Sequence, residues 1–323
     1  MPLENNTVPA RESTLDLIRK LLAAGGDPNA KTNNGEPLLV EAVAAGQTEL
    51  VQLLIDHGAN VNVFCDDGKT VLIKALNDRQ SKIAQILVEA GADVNCKSWF
   101  GTTALMLAVT DGDEKLARLM IEKGARLDDK DSNQRTALLV ALDKGCGDIA
   151  QLLITSGASL DEKDKFGMTA LMYASLRGYT EIARQLIDKV ANVDETKNGG
   201  TTALMCAVIG NNAEIMRLLL DHGALVDKTE EGGGTALMRA VMLGRDECLR
   251  LLIDRGADPD RENDAGETVY DIAEDDAGCL ETLQLALKSV EEKRINARHA
   301  VAVSNQQYLK KLAMNRPKLG GIS

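Results

Sequence analysis

Aromatic side chains are the scarcest large residues in this 323-residue chain, with one Trp, three Phe and four Tyr making up 2% of the total. Its core must therefore be built from Leu, Ile, Val, Met and Ala. Long hydrophobic runs are missing as well: no stretch approaches the roughly 18 apolar residues that a membrane span needs. The opening segment, MPLENNTVPARES, has no basic stretch followed by an apolar one, so no secretory signal is expected there. Cysteines are few and scattered (Cys65, Cys96, Cys146, Cys206, Cys248, Cys279), without a C-x-x-C pair. That pattern argues against zinc and for reduced, buried thiols in a cytoplasmic protein.

Positive charge is short over most of the length. The net charge is −12, yet from Lys288 onwards eight Lys or Arg face two Glu, a local +6 that leaves −18 on residues 1–287. A body so acidic excludes a nucleic-acid surface, which needs cations along one face. It suits a basic or neutral protein partner. With 44% hydrophobic and 27% charged residues the composition is that of a folded chain.

What the chain does have is a period of 33 residues. Gly35, Gly68, Gly101, Gln134, Gly167, Gly200, Gly233 and Gly266 follow one another at that interval without an insertion. Two residues later comes Thr, from Thr70 to Thr268, with Pro37 in the first register. Seven residues after the Gly stands Ala in every register: Ala42, Ala75, Ala108, Ala141, Ala174, Ala207, Ala240 and Ala273. Within residues 101–133, Thr103 is placed to cap a two-turn helix whose Ala104, Leu105, Ala108 and Val109 share one face. Asp111-Gly112-Asp113 breaks it, a second helix runs from about Glu114 to Lys123, and Gly124 ends that one. The constant Ala column predicts close helix–helix contact, where a larger side chain would overpack. Acidic or hydroxyl residues such as Thr48-Glu49 and Asp246-Glu247 open other second helices and fit caps. Neither helix has enough apolar surface to close a core by itself, so neighbouring units must stack.

The pattern G-x-T-A-L-M-x-A, then G, then L-L-x-x-G-A-x-V-N, resembles the ankyrin repeat family over residues 13–287. The resemblance implies an all-α, curved solenoid of paired antiparallel helices with projecting hairpin-like finger loops. Residues 1–34 read as an N-terminal half-repeat cap, 35–265 as seven repeats, 266–287 as a C-terminal capping repeat, and 288–323 as a basic, partly helical tail. The tail's apolar stripe is Val290, Ala297, Val301, Tyr308 and Leu312. Departures from the family pattern include Val40, Ile73, Met106 and their successors where the family has His, and Arg79 and Asn211 in the mid-repeat Gly column. Val190 stands in a helix-ending Gly column, at about 1–2 kcal/mol if left-handed.

Catalysis finds no foothold in these columns. His57 and His222 fall just before a helix-ending Gly, where a cation suits the helix end, and His299 stands alone in the tail. The Gly-rich run at 231–234 lacks the Gly-Lys-Ser/Thr ending of a phosphate loop. Asp128, Asp161, Asp194 and Asp227 recur in one column, where the family places Asn or Asp to bond its own turn backbone. The chain is therefore read as no enzyme, with no cofactor and no metal; an active site in the tail would have one His and no cluster to build on.

The four largest side chains that lack a hydroxyl, Phe64, Trp99, Phe100 and Phe166, all fall in finger segments. In the family, finger tips and the exposed ends of the first helices form the concave binding face. Carried onto this sequence, that face comprises Phe64, Trp99, Phe100, Asp111, Arg135, Asp143, Phe166, Met168, Leu176, Arg177, Ile209, Met242 and Leu243. The function expected is protein–protein recognition, as an adaptor, inhibitor or sequestering factor. The chain is expected to be a monomer binding a protein partner, with no nucleic acid and no membrane span. The alternative is a secreted bacterial effector with the tail as export or targeting signal.

Overall fold

The computed structural model describes residues 14–189, 192–274, 278–293 and 295. Val190, residues 1–13, His299 and the tail positions Ala297, Val301, Tyr308 and Leu312 lie outside this set. The chain divides into two compact units, Met1–Ala170 and Leu171–Ser323. In the first, α1 (Thr14–Ala23) precedes four helix pairs: α2 (Leu38–Ala44) with α3 (Thr48–Asp56), α4 (Val71–Asn77) with α5 (Ser81–Glu89), α6 (Ala104–Thr110) with α7 (Glu114–Glu122), and α8 (Ala137–Lys144) with α9 (Gly147–Thr155). In the second come α10 (Ala170–Arg177) with α11 (Thr180–Lys189), α12 (Ala203–Ile209) with α13 (Ala213–Asp221), and α14 (Ala236–Met242) with α15 (Asp246–Asp254). Then α16 (Val269–Ala273) is followed by helical residues 278–293.

Each first helix begins where the Thr column places it. The hydroxyls of Thr70, Thr103, Thr136, Thr202 and Thr235 accept from the backbone N–H three residues on, at Ile73, Met106, Leu139, Met205 and Met238. Such a cap satisfies one of the free amides of the first turn. The capped residue is the one in the family's His column, and its side chain is buried at each of these five positions. Thr268 goes further and forms a reciprocal box with Asp271. The second helices depart from expectation. Thr48 and Asp246 are first-turn residues, and the caps are Gln47 and Arg245, which make no side-chain cap bond. The carboxylates Glu49 and Asp246 instead meet the positive end of the helix from within its first turn. In α7 the cap is an acid, Asp113, whose carboxylate accepts from Leu116 N–H at 2.9 Å.

Within each unit the Ala column is the seam between consecutive first helices. All eight of its members are buried, as are the Leu residues three positions before them from Leu39 to Leu237. A small side chain here lets consecutive first helices approach, and the resulting core is aliphatic, with Met106, Met172, Met205 and Met238 filling it.

One column behaves differently from the sequence reading. The side chains of Asn29, Asn62, Asn95 and Asp128 accept from backbone N–H of the next repeat, at Asn60, Asp93, Arg126 and Ser159. In the second unit Asp194 and Asp227 do the same to Leu225 and Asp258. Own-turn bonds belong instead to the column two residues earlier: Asp27, Asn60, Asp93, Asn192 and Asp258 each accept from the N–H two residues on. A ladder from repeat to repeat thus runs beside the helices, satisfying amides that no helix covers.

The missing glycines do not change the backbone. Arg79, Gln134 and Asn211 have φ of 55°, 60° and 58°. Arg79 and Gln134 hold the left-handed conformation at about 1–2 kcal/mol each; Asn tolerates it better. His57 and His222 cap their own helices: Nδ1 donates to the Leu53 and Leu218 carbonyls at 2.9 and 2.8 Å. Since a carbonyl only accepts, Nδ1 carries the proton. At the far end Cys279, Thr282, Leu283 and Ala286 are buried. The start of the basic segment returns to the second unit through Lys293, which pairs with Asp254 at 2.8 Å.

Candidate protein-recognition surface

The fingers are built from their bases outward. Five of them are pinned by a short antiparallel bridge, such as Phe64 with Thr70 or Lys97 with Thr103. The glycine column closes the tip: Gly68 N–H donates to Cys65 O at 2.8 Å and Gly101 N–H to Ser98 O at 2.9 Å. Gly233 is needed twice over, because φ is +73° and an added Cβ would meet the Asp264 backbone nitrogen at 2.7 Å. The Gly-rich run is therefore a finger turn pressed against its neighbour.

Consecutive fingers are stitched by main-chain bonds. Ser132 N–H donates to Phe100 O and Lys165 N–H to Asn133 O, both at 2.9 Å; in the second unit Glu231 donates to Gly199 O and Asp264 to Gly232 O. At the carbonyl of Asp67, in the matching position, the indole N–H of Trp99 fills this role at 3.0 Å. The ring itself stays 75% exposed. Trp99 is thus tied down at its polar edge while its apolar face is open. Phe64, Phe100 and Phe166 are exposed too, and Lys165 Nζ sits 4.9 Å from the centre of the Phe166 ring.

Arg135 has a more internal role than the sequence suggests. Its guanidinium forks onto Asp131 through Nε at 3.0 Å and a terminal nitrogen at 2.9 Å, and reaches Asp143 at 3.6 Å. The Asp131 carboxylate is only 4% exposed and also accepts from Asn133 and Arg135 N–H. This is a clamp that closes a finger base. In the following repeat Asp164 gathers the backbone in the same way, accepting from Phe166 and Met168 N–H at 2.8 and 2.9 Å. One expected contact residue is not on the surface: Met168 is 8% exposed, its backbone N–H held by the buried Asp164. The column of Asp131 and Asp164 gives no signal in the sequence, since Thr32, Cys65 and Ser98 share it.

At the ends of the first helices, Asp111 pairs with Arg79 at 3.4 Å and is at the rim of a small pocket of about 230 Å³ that Leu76, Gln80, Ser81 and Asp113 also line. In the second unit Arg177, Met242 and Leu243 are exposed, with Leu176 and Ile209 half-buried. Finger tips and helix ends are thus on the surface within each unit, apart from Met168.

Among the described residues no group of three or more His, Cys, Asp or Glu could hold a metal ion. No helix among them is long and apolar enough to cross a membrane. Burial pushes the thiols of Cys65 and Cys206 up to about 11, at Cys65 with help from the Asp67 carboxylate. Such thiols are poor nucleophiles.

These features, a 33-residue unit of two short helices and a stitched finger, agree with comparison to known proteins. The solved ankyrin repeat domain of human ASB11 is similar in fold, with a TM-score of 0.53 at 23% identity over 78% of this chain and 98% of that one. No curated protein sequence matches the chain. A family model described as ankyrin repeats matches residues 9–98, 91–164, 147–230 and 191–263, most of the sequence. With an all-α repeat fold and this coverage, the chain belongs to the ankyrin repeat family.

Proposed function

We propose that this chain is a non-enzymatic recognition module that holds a partner protein against its finger tips and first-helix ends. Ankyrin repeats are in general protein–protein interaction modules. The observation that carries the finer reading is the use of a scarce resource. A chain with four Phe and Trp residues has all of them exposed on fingers. Large exposed apolar side chains mark contact surfaces, and Trp is among the residues that most often dominate binding energy.

The hot spot is centred on Trp99, Phe100 and Phe166. Arg135 supports it from below by holding the finger between them in shape. The test is purification of the intact protein with its bound partner, followed by titration of that partner against Trp99→Ala. Affinity should fall about thirtyfold or more, the equivalent of about 2 kcal/mol. Partner binding that is unchanged in Trp99→Ala and in Phe166→Ala, with both variants folded, would overturn the finger assignment.

A further inference from the structure

We infer that the indole of Trp99 is a latch between the second and third fingers of the first unit, those of Phe64 to Thr70 and Lys97 to Thr103. When a partner takes the ring, the backbone N–H of Trp99 replaces it on the Asp67 carbonyl and the two fingers close. The recognition reading above supplies only the agent that takes the ring; the latch itself rests on the finger backbone.

The other fingers show what their backbone does by default. Ser132 N–H donates to Phe100 O and Lys165 N–H to Asn133 O, both at 2.9 Å. In the second unit Glu231 and Asp264 make the same bond across the same interval, at 2.8 and 3.0 Å. These four side chains are a hydroxyl, an ammonium and two carboxylates, so the bond follows from finger conformation and not from residue type. Trp99 stands in their column, and Asp67 is the matching acceptor. Yet the Trp99 backbone N–H donates to nothing among the described residues, and the carbonyl is taken by Trp99 Nε1 at 3.0 Å. On its other side the second finger is also held by a side chain, since Asp66 N–H donates to the Glu36 carboxylate at 3.1 Å. In both exceptions a side chain competes for a main-chain group.

Such links differ in how they release. A backbone bond opens only when a finger moves, whereas a side chain withdraws by rotating between its own staggered positions. The Trp99 ring is largely exposed, so it is free to turn outward. Asp67 stays behind in a fixed pose: its carboxylate accepts from Lys69 N–H at 3.1 Å and from Lys69 Nζ at 2.7 Å, and the Phe64–Thr70 bridge pins the finger base. The turn that carries Trp99 keeps its shape too, because Ser98 N–H donates to Thr102 O at 2.8 Å and Gly101 N–H to Ser98 O at 2.9 Å. The carbonyl is therefore still presented to the third finger after the indole has gone. One N–H replaces another on the same acceptor, in bonds of similar worth. Extraction of the ring strands no carbonyl, and the two forms are close enough in free energy for a bound partner to choose between them.

The test is amide hydrogen exchange, followed by nuclear magnetic resonance on the full chain without a partner. In the parent protein the residue 99 amide should exchange about tenfold or more faster than those of Ser132 and Lys165, since an N–H without an acceptor is unprotected. Trp99→Phe keeps an aromatic ring and removes its donor. The residue 99 amide should then be slowed about tenfold or more, to the level of Ser132, with Lys165 unchanged. If Trp99→Phe lowers the melting temperature, Trp99→Ser, which carries the side chain found at Ser132, replaces it. Equal exchange at residue 99 in the parent and in a folded variant would overturn the inference, as would parent protection there equal to that of Ser132. Neither measurement involves a partner, whereas partner binding to Trp99→Ala bears on the finger assignment alone, so the two readings fail separately.

Discussion

The two units have cores of the same make-up and differ in what they show to solvent. Their Ala columns are buried alike, and Leu, Met and Thr repeat at the same depths. On the fingers, the first unit has Phe64, Trp99, Phe100 and Phe166, where the second has Asn198-Gly199, Glu231-Gly232 and Asp264-Ala265. At the first-helix ends the contrast reverses: Asn77, Thr110 and Asp143 in the first unit, Leu176, Ile209 and Met242 in the second. Packing between repeats constrains the core columns to a narrow set of volumes. Surface columns carry no such constraint, and each unit has its exposed apolar side chains on a different element.

The largest effect should be the same in both units, because it concerns what they share. Ala141→Glu and Ala174→Glu each put a charge without a partner into a packed seam, and each should cost several kcal/mol. Thermal melts that show one variant as stable as the parent would break the equivalence of the two cores.

Next comes the finger clamp in which Arg135 meets Asp131. Arg135→Ala strands a carboxylate that is nearly inaccessible, though the guanidinium is itself partly exposed. The expected loss is about 1–3 kcal/mol in a denaturant titration. Arg135→Lys should recover only a fraction of it, because Lys lacks the fork. Full recovery by Lys would show that charge alone matters there.

Trp99→Ala should cost the fold less than it costs binding. It removes one solvent-exposed hydrogen bond to Asp67, worth about 0.5–1.5 kcal/mol. If the melting temperature falls as far as it does for Arg135→Ala, the indole is chiefly a wedge between fingers and the first unit loses its anchor.

Thiol titration compares the units more gently. Cys65 is at a finger base and Cys206 within α12, yet both are held at about 11 against an ordinary 9.0. A thiol with a raised folded pKa keeps its proton while the unfolded chain releases it. The stability it contributes is whole below pH 9 and is lost as pH rises from 9 to 11. Alkylation at pH 8 should be slow at both, and faster at Cys65, since a finger opens more readily than a buried helix. Equal rates would mean that fingers and helices open together. The smallest effect is expected for Glu122→Ala on a second helix: within about 0.5 kcal/mol in stability, and no change in binding.

Much of this molecule is legible in its sequence because a repeat averages over its own noise. Thr103 as a cap, Ala174 as a seam residue and Gly101 as a turn each stand in a column of seven or eight, and one physical demand explains the whole column. Residues that depart from a column are harder to read. Arg135 has the look of a free cation on a binding face, yet its partner Asp131 stands in a column that holds Thr, Cys and Ser elsewhere. Met168 follows a finger tip, which suggests exposure; the side chain is buried. Asn95 and Asp128 resemble local turn-makers, and their bonds run instead to the repeat beyond.

The sequence by itself determined the period, the helix pairs, the aliphatic core and the placing of aromatic rings on fingers, because each follows from local propensity and from one volume constraint repeated every 33 residues. Only the tertiary structure decided which polar groups meet across repeats: the indole of Trp99 on Asp67, the fork of Arg135 on Asp131, the ladder from Asn29 to Asp128. Those bonds join residues about 30 positions apart, or depend on how far a buried carboxylate can reach. Hydrogen bonds require distances near 3 Å, and no pattern of residue types along a chain specifies a distance of that order between neighbouring turns of a stack.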